Sequence, residues 1–339
     1  MNRNPYIDIP PREGVVPDAN LMARVVSDEV METAYAWLCR QRAHFPPNAD
    51  VWHLRFHWER EQPLLVDALL SGEYRLSPVQ LVTKANGTRV ALWCASDALV
   101  LKMLTLVLET VLPVHEACKH VKGRGGYIGS VGRTMSVIRR FKPTYVARTD
   151  IKGYYQHIQP EVLHLQLLSH VHDPRVMGVL DQYLSYLMED SERLWQPGGG
   201  ISRGCALSPL LGAFHLYGLD VRLASITGVT YERYMDDFLL LTSSRWVLRR
   251  AIRRLNRAFE WLGFIQHPLK TFFGRLHRGV EWLGYALDDE GRSAPSPRSV
   301  FAWVQRQAEP LFEEAAWSAF AYRKWRAMWG WTLCMDDVA

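Results

Sequence analysis

The stretch "YERYMDDFLLLT", residues 231–242, sets the tightest constraint on the fold. Two aspartates sit side by side in an otherwise apolar, β-rich run. A buried, unpaired carboxylate is very costly, so a straight strand through a core is excluded. A hairpin removes the conflict. Residues 231–234 and 238–242 form its arms, with Met235, Asp236 and Asp237 near the turn, where a carboxylate points out of the sheet. Such a pair either hydrogen-bonds its own turn, as in ordinary β-turns, or faces a divalent cation.

A two-metal site needs a further carboxylate, and "YVARTDIKGYYQHI" supplies Asp150 at the end of its own apolar strand. If the two strands are neighbours, Asp150 and Asp236 clamp two Mg²⁺ ions. Mg²⁺ takes oxygen ligands and completes its shell with substrate phosphates. Two ions roughly 3.5–4 Å apart stabilise the attacking and leaving oxygens of phosphoryl transfer. That is polymerase chemistry.

The remaining sequence is compatible with it. The 339 residues suffice for two or three subdomains, and 48% apolar content excludes a disordered chain. A net charge of +5 permits a polyphosphate partner without requiring one. Cys39, Cys94, Cys118, Cys205 and Cys334 form no CxxC pair, so reduced thiols in the cytoplasm are expected, and no zinc site. The longest apolar run, "ALVLKMLTLVLETVLPV", is broken by Lys102 and Glu109, which argues against a membrane span.

Residues 22–42 read as a helix. "ANGT" joins two strands into a hairpin, and Ser96 is placed to cap the helix that follows. Residues 160–195 read as helices and "GVEWLGYAL" as one strand. Strands and helices mix without βα alternation, which favours an α+β class.

In order along the chain, these motifs resemble those of the reverse transcriptases, over about residues 75–290. "VARTDIKGYYQHI" resembles the first palm motif and "GGGISRGCALSPLLGAF" the second. "YMDD" is similar to the third, "HPLKTFFG" to the fourth, and "EWLGY" to the primer-grip strand. The resemblance implies an α+β right-hand polymerase. Its parts would be an N-terminal arm and helical extension (1–74), fingers (75–145), a palm (146–290, with a helical fingers insertion near 160–197) and a helical thumb (291–339). It implies an RNA-directed DNA polymerase that uses two Mg²⁺ ions, or Mn²⁺, with deoxynucleoside triphosphates, an RNA template and a DNA product.

Residue by residue, the resemblance makes Asp150, the Ile151 backbone, Asp236 and Asp237 the metal ligands. Lys270 then protonates or neutralises the leaving pyrophosphate. Tyr155, five residues after Asp150, becomes a steric gate against a 2′-hydroxyl, or else is core. Lys84 and Arg89 grip the triphosphate, or are solvated surface. Arg203-Gly204 stands where the family usually has Gln-Gly. Gly204 lets the backbone approach the nucleotide, while Arg203 places a fixed cation against a triphosphate or template phosphate.

Lys122, Arg124 and Arg133 lie in "KHVKGRGGYIGSVGRT", which resembles a template-contacting segment, and Trp282, Gly284 and Tyr285 fall on the primer grip. Arg249, Arg250, Arg253, Arg254 and Arg257 share one helix face that suits RNA, a partner protein or solvent. The tail carries Trp303, Trp317, Trp325, Trp329 and Trp331, as thumb surface or thumb core. Retron signatures are absent, and Ser208-Pro209 replaces the Ser-Gln of diversity-generating enzymes. What remains resembles compact bacterial enzymes that work with a noncoding RNA, many in antiphage defence. A partner protein or a second copy of the chain is compatible with this. The alternatives are a mobile-element enzyme or a catalytically quiet RNA-binding scaffold.

Overall fold

The computed structural model describes residues 6–300, apart from 13, 15–17, 84–88, 191–192 and 298. Lys84, the tryptophan-rich tail and almost all of the expected thumb therefore lie outside the described residues.

The chain opens with α1 (Leu21–Val25), α2 (Asp28–Gln41), α3 (Asp50–Phe56) and α4 (Trp58–Ser71). The single helix expected over 22–42 is broken at Ser27, whose extended backbone (φ −62°, ψ 147°) caps α2. β1 (Val79–Thr83) and β2 (Arg89–Leu92) pair antiparallel, as the Asn-Gly turn predicts. α5 (Ala95–Val111) is capped not by Ser96 but by Cys94, whose Sγ accepts from the Asp97 amide at 3.4 Å. The Asp97 carboxylate is taken by the Tyr74 hydroxyl and the Ser77 amide, which fixes this first turn. α5 is apolar on nearly every side and runs through the large core.

Next come α6 (Gly126–Phe141), β3 (Tyr145–Asp150), α7 (Tyr154–His157), α8 (Pro160–Leu168) and α9 (Pro174–Leu184). The helical reading of 160–195 fails at its end. β4 (Met188–Glu189) and β5 (Leu194–Trp195) are short strands, and β4 adds parallel to β1. α10 (Ser208–His215), α11 (Tyr217–Ala224), β6 (Thr230–Tyr234), β7 (Asp237–Thr242), α12 (Arg245–Leu262), β8 (Phe272–Arg275), β9 (Val280–Trp282), β10 (Tyr285–Leu287) and β11 (Ser293–Pro295) follow. β9 and β10 correct the single strand read over "GVEWLGYAL". Leu283 (φ 49°) and Gly284 (φ 86°) both turn left-handed, which is the backbone of a two-residue hairpin loop.

The central sheet has the order β6-β7-β3-β8, all antiparallel. Side-chain alternation sorts its two faces. Val146, Arg148 and Asp150 share one face with their partners Leu241, Leu239 and Asp237. There Val146, Leu239 and Leu241 pack with Val131 and Ile138 of α6 and with Trp282. Ala147, Phe238 and Leu240 point the other way, into the large core with Leu248, Leu255 and Phe259 of α12. α12 thus lies on the face away from the carboxylates.

Candidate active site

Asp150 ends β3 and Asp237 begins β7 directly opposite it. Asp236 occupies the two-residue turn between Tyr234 and Asp237. One carboxylate oxygen from each lies within 4.8 Å of those of the other two, and Asp150 is almost wholly buried. Burial first, and then Asp150, holds the Asp236 carboxyl above its ordinary range. Asp237 is pushed up to about 6 by burial, with Asp150 and Asp236 adding to it and Arg148 opposing. Crowded like charges in an all-oxygen donor set fit a hard divalent cation.

Cations approach from two sides. Lys270 Nζ lies 2.8 Å from Asp150 Oδ2. Arg148, on the same sheet face, reaches Asp237 at 3.5 Å and Glu281 at 3.7 Å. The Ile151 amide donates to the Asp236 carbonyl at 3.2 Å, tying the end of β3 to the turn.

The turn is strained and clamped. Met235 has φ 54°, unfavourable for a residue with a side chain. Its amide donates to His120 Nδ1 at 2.9 Å, and its carbonyl accepts from Arg233 Nη1 at 2.8 Å. Burial, then Arg233, lowers the His120 pKa to about 4, so the ring is neutral near pH 7. A neutral ring that accepts at Nδ1 must carry its proton at Nε2, which faces the Pro209 carbonyl at 3.0 Å. Arg233 is itself fully buried and paired bidentately with Asp220. Neither His120 nor the Arg233–Asp220 pair stood out in the sequence. The one signal was an arginine on the inward face of β6, beside buried Tyr231.

The second motif is laid against the first. Ile201 donates its amide to the Tyr155 carbonyl at 2.8 Å. A Cβ at Gly200 (φ +80°) would meet that same carbonyl at 2.6 Å, so only glycine permits the contact. Gly212 lets α10 approach both tyrosine rings, with Tyr154 buried and donating to the Gly212 carbonyl at 2.6 Å. Tyr155 is half-buried. Burial, then Asp236, raises its hydroxyl pKa to about 12. Exposed Arg203 acts electrostatically on both Tyr155 and Asp236. Gly204 (φ +81°) faces the Ala91 carbonyl of β2.

The other expected residues are scattered. Arg89 starts β2, and its side chain lies outside the described residues. Lys122 is exposed, and Arg124 donates to the Val114 carbonyl at 3.1 Å. Half-exposed Arg133 is paired with Glu232 at 3.0 Å. The structure places Trp282, expected on the primer grip, in the core. It is 0% exposed, and its indole N–H donates to Ser130 at 3.1 Å. Tyr285 is likewise buried, while Gly284 remains partly exposed in the turn.

The family model for reverse transcriptase (RNA-dependent DNA polymerase) matches residues 108–287. The chain belongs to the reverse transcriptase family. No curated relative matches the chain. This reverse transcriptase is therefore an RNA-directed DNA polymerase, a nucleotidyltransferase acting on an RNA template with deoxynucleoside triphosphates. Its mixed helix-and-sheet architecture with a palm-like sheet accords with the family. No helix among its described residues is long and apolar enough to cross a membrane.

Proposed function

We propose that Asp150, Asp236 and Asp237, with the Ile151 backbone, hold two Mg²⁺ ions, and that residues 75–145, 146–290 and 291–339 act as fingers, palm and thumb. The convergence of the three carboxylates at one end of the sheet carries this reading. The ions would supply charge neutralisation at the attacking and leaving oxygens. Lys270, now on Asp150, would face the leaving pyrophosphate. Tyr155, whose hydroxyl pKa is raised partly by the Asp236 charge, would occupy the space of a 2′-hydroxyl. Exposed Arg203, whose charge acts on both Tyr155 and Asp236, would offer a fixed cation to a triphosphate or template phosphate.

Primer extension on an RNA template tests the assignment: DNA synthesis requires Mg²⁺ and stops with a chelator. No incorporation on any template or primer would favour the scaffold reading instead. Tyr155→Ala should lower discrimination against ribonucleotides by about 10- to 100-fold. Unchanged sugar selection removes the gate.

We propose further that the template is a dedicated noncoding RNA and that the enzyme serves antiphage defence. Arg203 in place of the usual glutamine supports a template unlike that of other members. Sequencing the nucleic acid that co-purifies from the native host should return one abundant RNA and its complementary DNA. A random sample of cellular RNA would refute this.

A further inference from the structure

α12 carries six arginines and a single acid, Glu260. Arg245, Arg249, Arg253 and Arg257 form one i,i+4 row, with Arg250 beside it, and all five are exposed. None of them has an ion-pair partner among the described residues. Arg254 differs, being half-buried and donating to the Arg222 carbonyl at 3.0 Å. Within the row stands Trp246, 72% exposed, with the Arg249 guanidinium 5.1 Å from its ring centroid. The opposite side of the helix, Leu248, Leu255 and Phe259, is sunk in the large core.

We propose that this face of α12 binds the phosphate backbone of a folded RNA segment that is not the strand being copied. The row spans about 18 Å at about 6 Å per arginine, a linear array suited to a linear polyanion. The cations are all arginine, whose planar fork matches phosphate and stacks on bases. A large aromatic held open among them offers a base a stacking platform, which an acidic protein segment would not need. α12 packs on the sheet face opposite Asp150 and Asp237, so the RNA it holds runs behind the palm. The proposal rests on reading the chain as an RNA-copying enzyme and adds a second, non-template contact to it.

The test uses the full chain and a labelled RNA hairpin of arbitrary sequence. Replacing Arg249, Arg250, Arg253 and Arg257 together by Gln should weaken hairpin binding at least about tenfold. It should also lower the slope of log affinity against log salt by about 3. Turnover at saturating primer–template should stay unchanged. Trp246→Ala should lose about tenfold with the slope unchanged. In the unsubstituted protein, ultraviolet cross-links to the hairpin should fall within 245–257. Wild-type affinity and slope in the Gln variant overturn the proposal. So does loss of turnover with binding, since the arginines would then serve the copied strand. Polyglutamate capture with undiminished RNA binding also overturns it, in favour of an acidic protein partner. If Asp236→Ala still makes DNA, the metal assignment fails while this surface stands.

Discussion

Asp236→Ala is expected to abolish DNA synthesis, by at least about 10³-fold, without loosening the fold. Asp236 sits at the tip of a two-residue turn, with one carboxylate oxygen within 4.8 Å of an oxygen each of Asp150 and Asp237. Removing it takes one carboxylate from the proposed ligand set. The backbone link from the Ile151 amide to the Asp236 carbonyl survives the substitution. The sign of the stability change follows from the direction of the shift. A carboxyl whose folded pKa is raised disfavours the folded state at every pH above its unfolded value. Deleting Asp236 relieves that cost and lessens the repulsion on Asp237. In metal-free buffer near pH 7 the variant should therefore melt no lower than the parent. Added Mg²⁺ should raise the parent's melting temperature more than the variant's. Hairpin RNA binding should be retained. Single-nucleotide incorporation and a melting scan with and without Mg²⁺ check this, and retained synthesis would remove Asp236 from the metal site.

What could be read in the sequence was whatever depends on local pattern. The β6–β7 hairpin is visible because two acids interrupt an apolar run and can be tolerated only at a turn. Asp150 is visible because an apolar strand ends on it. The structure brings them together in register, Asp150 opposite Asp237. The failures are equally physical. β4 and β5 have two residues each, too few to show any periodicity. The β9–β10 turn uses Leu283-Gly284 rather than Asn-Gly, so its hairpin was hidden inside an apolar run. The burial of Trp282 is not legible either, because an aromatic in a motif does not reveal which face it takes, and here its indole N–H is held by Ser130 of α6. Contacts across a hundred residues, such as His120 to Met235, leave no local trace.

Arg233→Met shows how much of the site depends on such a contact. Arg233 and Asp220 are both 0% exposed, paired through Nη2–Oδ2 at 2.5 Å and Nε–Oδ1 at 2.7 Å. Arg233 also donates to the Ala213 carbonyl at 3.0 Å and the Met235 carbonyl at 2.8 Å. Removing one partner strands a buried charge, and the expected cost is about 3–5 kcal/mol. Among the described residues, the Asp220 carboxylate then keeps only its bond from Tyr231. Replacing both partners by apolar residues, Arg233→Met with Asp220→Leu, should recover more than half of that loss, because no charge is left buried. Activity should not recover with it. Met235 keeps its left-handed backbone only while both its amide and its carbonyl are held, and the double variant still lacks the arginine that holds the carbonyl. Chemical denaturation and primer extension on the same preparations separate the two effects. A double variant as active as the parent would mean that His120 alone positions the turn. A stable but slow one means that the buried pair acts on Asp236 through the two residues between them.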